Sequence, residues 1–255
     1  SRGLIDPTYL AMRGAAIVFG TRLTPNPVAD DPRPFEVAGL KPVTRLALAE
    51  PVTGPENGTT HFSVADRWGN VVSYTNTIES SHGIGTFAGY TLPDGSFRNF
   101  GFLLNNELTD FNTTSSTNPI TGTDGYNDVQ PRKRPRSSMV PTMIFDPEGR
   151  PILAYGSPGG ATIINSVVNV TVNLIDHGMG LQQAIDAGRI SVAGTASTIT
   201  LESRFPTETF DALRALGYTV NPGDVGSVQA VGRVPSSGLV YGAADDRREI
   251  GRAHV

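Results

Sequence analysis

The chain contains no cysteine. That absence excludes disulfides, thiol nucleophiles, zinc–thiolate sites and iron–sulfur clusters together. Histidine is scarce as well, at four residues (His61, His82, His177 and His254), so a serine–histidine–acid triad must use one of these. There is no G-x-S-x-G elbow and no Gly-Lys-Ser/Thr phosphate loop. Clustered positive charge is also missing: 20 Lys and Arg stand against 24 Asp and Glu, for a net charge of −4. The one basic run, Arg132-Lys133-Arg134-Pro135-Arg136, is too short for an electrostatic grip on nucleic acid or anionic lipid. No stretch approaches the ~18 uninterrupted apolar residues of a membrane helix.

What is present is ordinary globular material, 38% hydrophobic over 255 residues, enough for one large domain or two small ones. The 29 glycines and 19 prolines point to many short elements separated by turns. Residues 7–20 read as a helix closed by Gly20, and residues 21–58, with seven prolines, as a linker or wrapping segment. At Thr59 the pattern changes. Residues 59–66 alternate, Arg67-Trp68-Gly69-Asn70 forms a turn, and residues 71–78 resume β character, so a hairpin is predicted. A second strand pair is predicted at 139–145 and 152–155, around the turn Asp146-Pro147-Glu148-Gly149. Between the pairs, residues 80–137 read as loop-rich, with a short strand at 101–105. Residues 161–177 form the strongest helical pattern, apolar on nearly every face and so expected to be buried on most of them. Further helices are predicted at 181–189 and 206–216, with short strands at 198–201, 218–220, 227–231 and 239–241. The fold class is a mixed, mostly antiparallel α+β arrangement.

Without cysteine, nucleophilic chemistry falls to Ser, Thr or Lys. His177, at a helix end, reads as a partner of the helix dipole, and His61, inside a strand, as a packed core histidine. A threonine can dispense with histidine if its own freed amino group acts as base. Asn57-Gly58-Thr59-Thr60 suits that arrangement: a flexible glycine precedes a hydroxyl residue, and a strand follows at once to hold the new terminus. A plain strand start accounts for the same residues. Gly159-Gly160, after Ser157-Pro158 and before the long helix, would present N–H groups to an anion or oxyanion, or simply make a tight turn. Ser137-Ser138 can bind a carboxylate or cap a turn. Glu79, Glu107 and Asp110, if they converge, would favour an ammonium group, and their mutual repulsion should raise at least one of their pKa values.

Taken in order, Thr59-Thr60-His61-Phe62-Ser63-Val64-Ala65-Asp66, Leu103-Leu104-Asn105-Asn106-Glu107 with Asp110-Phe111, Lys133-Arg134-Pro135 with Ser137-Ser138-Met139 and Pro141-Thr142, Gly156-Ser157-Pro158-Gly159-Gly160, and Tyr241-Gly242-Ala243-Ala244-Asp245 with Arg247 resemble the successive signatures of the γ-glutamyltransferase family. The resemblance implies an N-terminal-nucleophile hydrolase, a four-layer αββα sandwich made as a precursor that cuts itself between Gly58 and Thr59. Residues 1–58 would be the tail of the large subunit and residues 59–255 the small catalytic subunit, with most of the large subunit upstream as its partner. Thr59 would be the nucleophile and Thr77 the residue that orients it. Gly159 and Gly160 would form the oxyanion hole. Ser137 and Ser138 would take the substrate α-carboxylate, while Glu107 and Asp110 take its α-amino group with Glu79 beside them. The implied reaction passes the γ-glutamyl group of a donor such as glutathione through a Thr59 ester to water or an amine, without metal or organic cofactor. By the same resemblance the protein is periplasmic or secreted.

Glu79 stands where many members carry Asn, residues 90–100 read as an insertion beside the pocket, and residues 111–130 do not reproduce the usual lid. These departures keep open a cephalosporin- or glutaryl-type acylase, a poly-γ-glutamate depolymerase, and a catalytically silent module of the same fold.

Overall fold

The computed structural model describes residues 2–22, 33–35, 58–117, 124–192 and 198–248. The expected linker over 21–58 lies almost entirely outside these residues. Helix α1 (Pro7–Gly14) starts at Asp6, whose carboxylate accepts from the backbone N–H groups of Thr8 (2.9 Å) and Tyr9 (3.1 Å). It ends at Gly14 rather than at the expected Gly20, and its buried residue, Tyr9, packs on Phe35.

The predicted first hairpin is strand β1 (Thr59–Ala65) against β2 (Val71–Thr77), with Thr59 opposite Thr77 and Ala65 opposite Val71. Asp66 closes its turn by accepting from the N–H groups of Trp68 and Asn70, both at 2.9 Å, and from the Asn70 amide at 2.7 Å. Gly69, at φ 93°, supplies the conformation the turn needs. The loop-rich expectation for 80–137 is corrected in part. Strands β3 (Phe87–Thr91) and β4 (Phe97–Leu103) pair as a hairpin, so the supposed insertion at 90–100 is its tip and the strand expected at 101–105 starts earlier.

Strands β5 (Thr142–Phe145) and β6 (Pro151–Gly156) form the second predicted hairpin, again closed by an aspartate, Asp146. Helix α2 (Ile163–Ile175) follows a 3-10 turn at Gly160–Thr162, and α3 is Leu181–Asp186. Then come β7 (Ile190–Ser191), β8 (Thr198–Leu201), α4 (Thr207–Ala215), β9 (Thr219–Pro222), β10 (Gln229–Arg233) and β11 (Val240–Ala244). The central sheet has the order β11-β10-β6-β5, all antiparallel. A smaller sheet, β7-β8-β9, contains a parallel pair, β8 with β9.

One face of the central sheet is covered by α2 and α3. Tyr155, Val170, Ala184, Ile185 and Val228 are fully buried between them, each larger side chain contributing about 1.5–3 kcal/mol of transfer free energy. The opposite face meets the β1–β2 hairpin. Three layers of an α/β/β stack are therefore visible among the described residues. The outer face of the hairpin leaves Phe62, Val64, Val72 and Tyr74 about half exposed.

Helix α2 corrects one expectation. Ile163, Ser166, Val167 and Val170 are buried at i, i+3, i+4 and i+7, but Ile164, Val168 and Ile175 are at least half exposed. The all-round apolar pattern is thus satisfied on a single face.

Candidate active site

The inner face of the β1–β2 hairpin sets the site. Side chains alternate along a strand, so Thr59, His61 and Ser63 share one face with Ser73, Thr75 and Thr77 opposite them. The Ser73 hydroxyl donates to the Tyr155 carbonyl at 3.0 Å, and the His61 ring lies against Gly156, where an added Cβ would sit 2.5 Å from the ring. Successive steps toward Thr59 along β1 thus run parallel to steps toward residue 157 on β6. The Thr59 end of the hairpin and the Ser157-Pro158-Gly159-Gly160 turn occupy the same end of the paired sheets.

His61 takes no part in a triad. Its Nδ1 is 2.7 Å from Thr75 Oγ1 and its Nε2 is 3.0 Å from Ser63 Oγ, hydroxyls that serve one donor and one acceptor of a neutral ring. Burial pushes its pKa down to about 4. Since the unfolded chain takes up the proton near pH 6.5 and the folded one only near pH 4, stability should be greatest above pH 6.5 and fall as pH drops to 4. The loss is about 3 kcal/mol. Urea midpoints of the parent and His61→Gln at pH 7.5 and 4.5 check this: their difference should shrink at the lower pH, and a constant difference would contradict it.

Thr59 is buried, and its Oγ1 is 2.9 Å from Thr77 Oγ1. Thr77 Oγ1 also accepts from the Glu79 N–H at 2.8 Å and donates to the Gly58 carbonyl at 3.3 Å. The proposed nucleophile, its orienting threonine and the bond expected to break are therefore joined by hydrogen bonds.

Glu79 has a backbone φ of 72°, an uncommon conformation for this residue type. Its carboxylate accepts from Ser80 Oγ at 2.7 Å and from the Asn106 amide, while Asn106 Oδ1 accepts from the Ser80 N–H at 3.0 Å. Of the three acids, Asp110 is electrostatically coupled to both others. Burial raises the pKa of Asp110 above its ordinary value and the Glu79 charge adds to this; Arg136 and a hydrogen bond with Glu107 act the other way. A bound ammonium would relieve that strain.

Ser137 is exposed and Ser138 half-buried; Ser137 Oγ accepts from the Met139 N–H at 3.2 Å. They are tied to the acids through Asn127, whose amide donates to the Asp110 carbonyl at 2.8 Å and whose Oδ1 accepts from the Arg136 N–H at 2.9 Å. Asp128 in turn holds Asn112, Ser116 and Gly125 in place. Gly159, at φ 137°, precedes the 3-10 turn that Gly160 opens at φ 55°. The first N–H groups of such a helix start have no partner within the helix.

Behind the glycine turn, Gly226 approaches Gly159 closely, and Ser157 Oγ accepts from the Ser227 N–H at 2.9 Å. Residues 225–228 are held by four buried charges. Glu202 accepts from the Val225 N–H and Asp245 from the Val228 N–H, both at 2.8 Å. Arg189 pairs with Asp245 at 2.6 Å, and Arg247 grips Glu202 through Nε and Nη2, both at 2.6 Å. Burial alone would raise the Asp245 pKa, but the Arg189 guanidinium, the N–H groups of Val228 and Arg247 and the Arg247 charge together outweigh it and hold the carboxyl below its usual range.

Asn106, Asp245 and Arg247 lie within the motifs, which carry no mark of their contacts, and nothing local singles out Asn127, Arg189, Glu202 or the backbone of Ile78. Asn127, sandwiched between turn residues, offered only an Asn-rich loop as a signal. Among the described residues no group of three His, Cys, Asp or Glu side chains has the arrangement of a metal site. No helix of the described residues is long and apolar enough to cross a membrane.

The sequence pattern of the Gamma-glutamyltranspeptidase family matches residues 2–255. The "Glutathione hydrolase proenzyme" of Bacillus subtilis is 39% identical over 249 residues, covering 97% of this chain and 38% of the relative. That of Escherichia coli is 32% identical over 250 residues, covering 97% of this chain and 40% of the relative. The chain thus spans about two fifths of the length of these relatives. Among solved structures, a gamma-glutamyltranspeptidase from Pseudomonas nitroreducens, complexed with L-DON, matches with a TM-score of 0.64 and 31% identity. It covers 77% of this chain and 98% of that one.

Proposed function

The chain belongs to the gamma-glutamyltranspeptidase family and has the α+β fold of its N-terminal-nucleophile hydrolases; from that premise we propose that it carries the catalytic half of a self-processing γ-glutamyl transferase and hydrolase. The observation that supports this most directly is the pairing of Thr59 Oγ1 with Thr77 Oγ1 at 2.9 Å, immediately after a glycine whose carbonyl Thr77 also touches. In this reading the bond between Gly58 and Thr59 breaks first. Residues 59–255 become the small subunit, and residues 1–58 stay with the upstream large subunit as its tail.

The freed α-amino group of Thr59 then serves as general base for its own hydroxyl. Thr59 Oγ1 attacks the γ-carbonyl of a γ-glutamyl amide such as glutathione, and the N–H groups of Gly159 and Gly160 receive the developing oxyanion. Asp110, Glu107 and Glu79 hold the donor's ammonium group, and Ser137 and Ser138 its α-carboxylate. Departure of the amine leaves a γ-glutamyl ester on Thr59, which water or an acceptor amine resolves. The same reading places the protein in the periplasm or outside the cell.

The test compares γ-glutamyl and glutaryl anilides, which differ in the ammonium group that the three acids are suited to meet. The γ-glutamyl compound should show kcat/KM higher on the order of 10²–10⁴-fold, since a site built around a charged group rejects an analogue that lacks it. Equal rates would transfer the reading to an acylase. Mass spectrometry supplies the complementary result: a fragment starting at Thr59 is expected, and a chain that stays intact on incubation near neutral pH would mark a silent module.

A further inference from the structure

Two donors already meet the carbonyl oxygen of Gly58 in the uncut chain. The Ile78 N–H donates to it at 3.1 Å and the Thr77 hydroxyl at 3.3 Å. Neither belongs to the Gly159-Gly160 turn, which lies on a separate segment at the start of α2. We propose that self-cleavage has its own oxyanion hole, made by the Ile78 N–H and the Thr77 hydroxyl, distinct from the glycine turn assigned to substrate turnover. The inference rests on the reading that the bond before Thr59 is cut by Thr59.

Three features of the surroundings fit that purpose. The Glu79 N–H donates to Thr77 Oγ1 at 2.8 Å, and Thr59 Oγ1 lies 2.9 Å from the same atom. If Thr59 donates there as well, the Thr77 proton is left for the Gly58 oxygen. The left-handed backbone at Glu79 turns the chain directly after Ile78, so that the Ile78 N–H meets the Gly58 carbonyl while the next N–H holds Thr77 Oγ1. That bend is clamped by Asn106, whose N–H donates to the Ile78 carbonyl at 3.2 Å and whose side chain binds Glu79 and Ser80.

Gly58 is shaped to the same turn. A Cβ there would collide with the Ser80 carbonyl oxygen and lie 2.5 Å from that of Glu79. These are backbone atoms that cannot rotate away, so glycine lets the scissile carbonyl seat against residues 78–80.

Thr59 Oγ1 bonds to the Gly58 carbonyl carbon, and the charge that builds on the Gly58 oxygen is held by the two donors. The hydroxyl proton passes to the Thr59 nitrogen, the C–N bond breaks, and an ester with a free amine results. Water then hydrolyses the ester, giving a Gly58 carboxylate and a free Thr59 hydroxyl.

The test is made in the full-length protein with two changes: Thr77→Val, which keeps shape and removes the hydroxyl, and replacement of Ile78 by its α-hydroxy analogue, which exchanges the N–H for an ester oxygen. First-order cleavage, followed by gel and intact mass, should slow on the order of 10²–10³-fold in each, the usual loss for one oxyanion donor. Thr77→Ser should stay within about tenfold of the parent. The Ile78 analogue separates this proposal from a role of Thr77 in orienting Thr59 alone, because Ile78 N–H reaches only the Gly58 carbonyl. Parental rates in either altered protein overturn the separate hole. Should the ester analogue fold poorly by urea midpoint, Thr77→Val still decides the hydroxyl half. A parent that is never cut before Thr59 refutes the functional reading itself; a parent that is cut, with insensitive variants, refutes only this inference.

Discussion

Thr59→Ala should abolish self-cleavage and turnover together, with kcat on γ-glutamyl anilides reduced on the order of 10⁴–10⁶-fold, as for removal of a covalent nucleophile. Thr59 carries the nitrogen of the bond expected to break, and its Oγ1 lies 2.9 Å from Thr77 Oγ1, whose own hydroxyl is engaged with the Gly58 carbonyl oxygen. His61, on the same hairpin face, offers no rescue: it is neutral, buried and committed to Thr75 and Ser63. Thr59→Ser keeps the hydroxyl and should retain part of both activities, slowed because the missing methyl leaves χ1 less restricted. Gel analysis of the purified protein and an anilide assay give the two readouts. Normal turnover in the alanine variant would remove Thr59 from the mechanism.

Arg247→Ala should destabilise the protein by about 3–5 kcal/mol, the usual cost of leaving one partner of a buried ion pair alone. Against a total stability of about 5–15 kcal/mol this is severe. The urea midpoint should drop by roughly 1.5–2.5 M for an m-value near 2 kcal/mol/M. The reason lies in the accounting of charges. Glu202 and Asp245 are buried with Arg189 and Arg247, two acids against two guanidiniums. Removing Arg247 strips Glu202 of its bidentate partner and leaves it to the N–H groups of Arg189 and Val225. It also frees the Ala187 carbonyl and takes one of two guanidinium donors from that of Ile185, which keeps Arg189.

The paired variant Arg247→Met with Glu202→Gln should recover part of the loss, because no lone charge then stays buried. A loss below about 1 kcal/mol in Arg247→Ala would show that water reaches the site. Since Glu202 and Asp245 also hold residues 225–228 behind Gly159, the single variant should lower turnover at temperatures where it remains folded.

The elements were legible where the signal is local. Asp66 and Asp146 announce their turns because a carboxylate reaches the N–H groups two to four residues on, whatever else the chain does. The alternation from Thr59 to Ala65 likewise placed Thr59, His61 and Ser63 on one face. Elsewhere local pattern misled. The apolar residues around α2 suggested burial on most faces, yet the sheet covers one, and Ile164, Val168 and Ile175 point away from it. The β3–β4 hairpin was read partly as loop, since Gly89, Gly95 and Gly101 interrupt its alternation.

The candidate site divides in the same way. Glycine before threonine at a strand start, paired serines, paired glycines and three acids are properties of short segments, and their order along the chain was enough to identify the family. Residue spacing says nothing, however, about which backbone donors face a given carbonyl. Every residue except proline carries an N–H, so nothing in its side chain marks Ile78 as a partner of Gly58. The pairing follows from the register of β1 with β2 and from the left-handed bend at Glu79.

The buried quartet is equally non-local: Arg189, Glu202 and the pair Asp245 and Arg247 come from three segments and meet only when β8, α3 and the end of β11 pack together. The sequence by itself determined the candidate chemistry, hydroxyl side chains at a glycine–threonine step in a chain without cysteine, and the short elements that carry it. Tertiary structure alone decided which amides and carbonyls meet around Thr59 and Thr77 and which charges meet behind Gly159, because turn chemistry and periodicity act within a few residues while convergence depends on how distant segments cross.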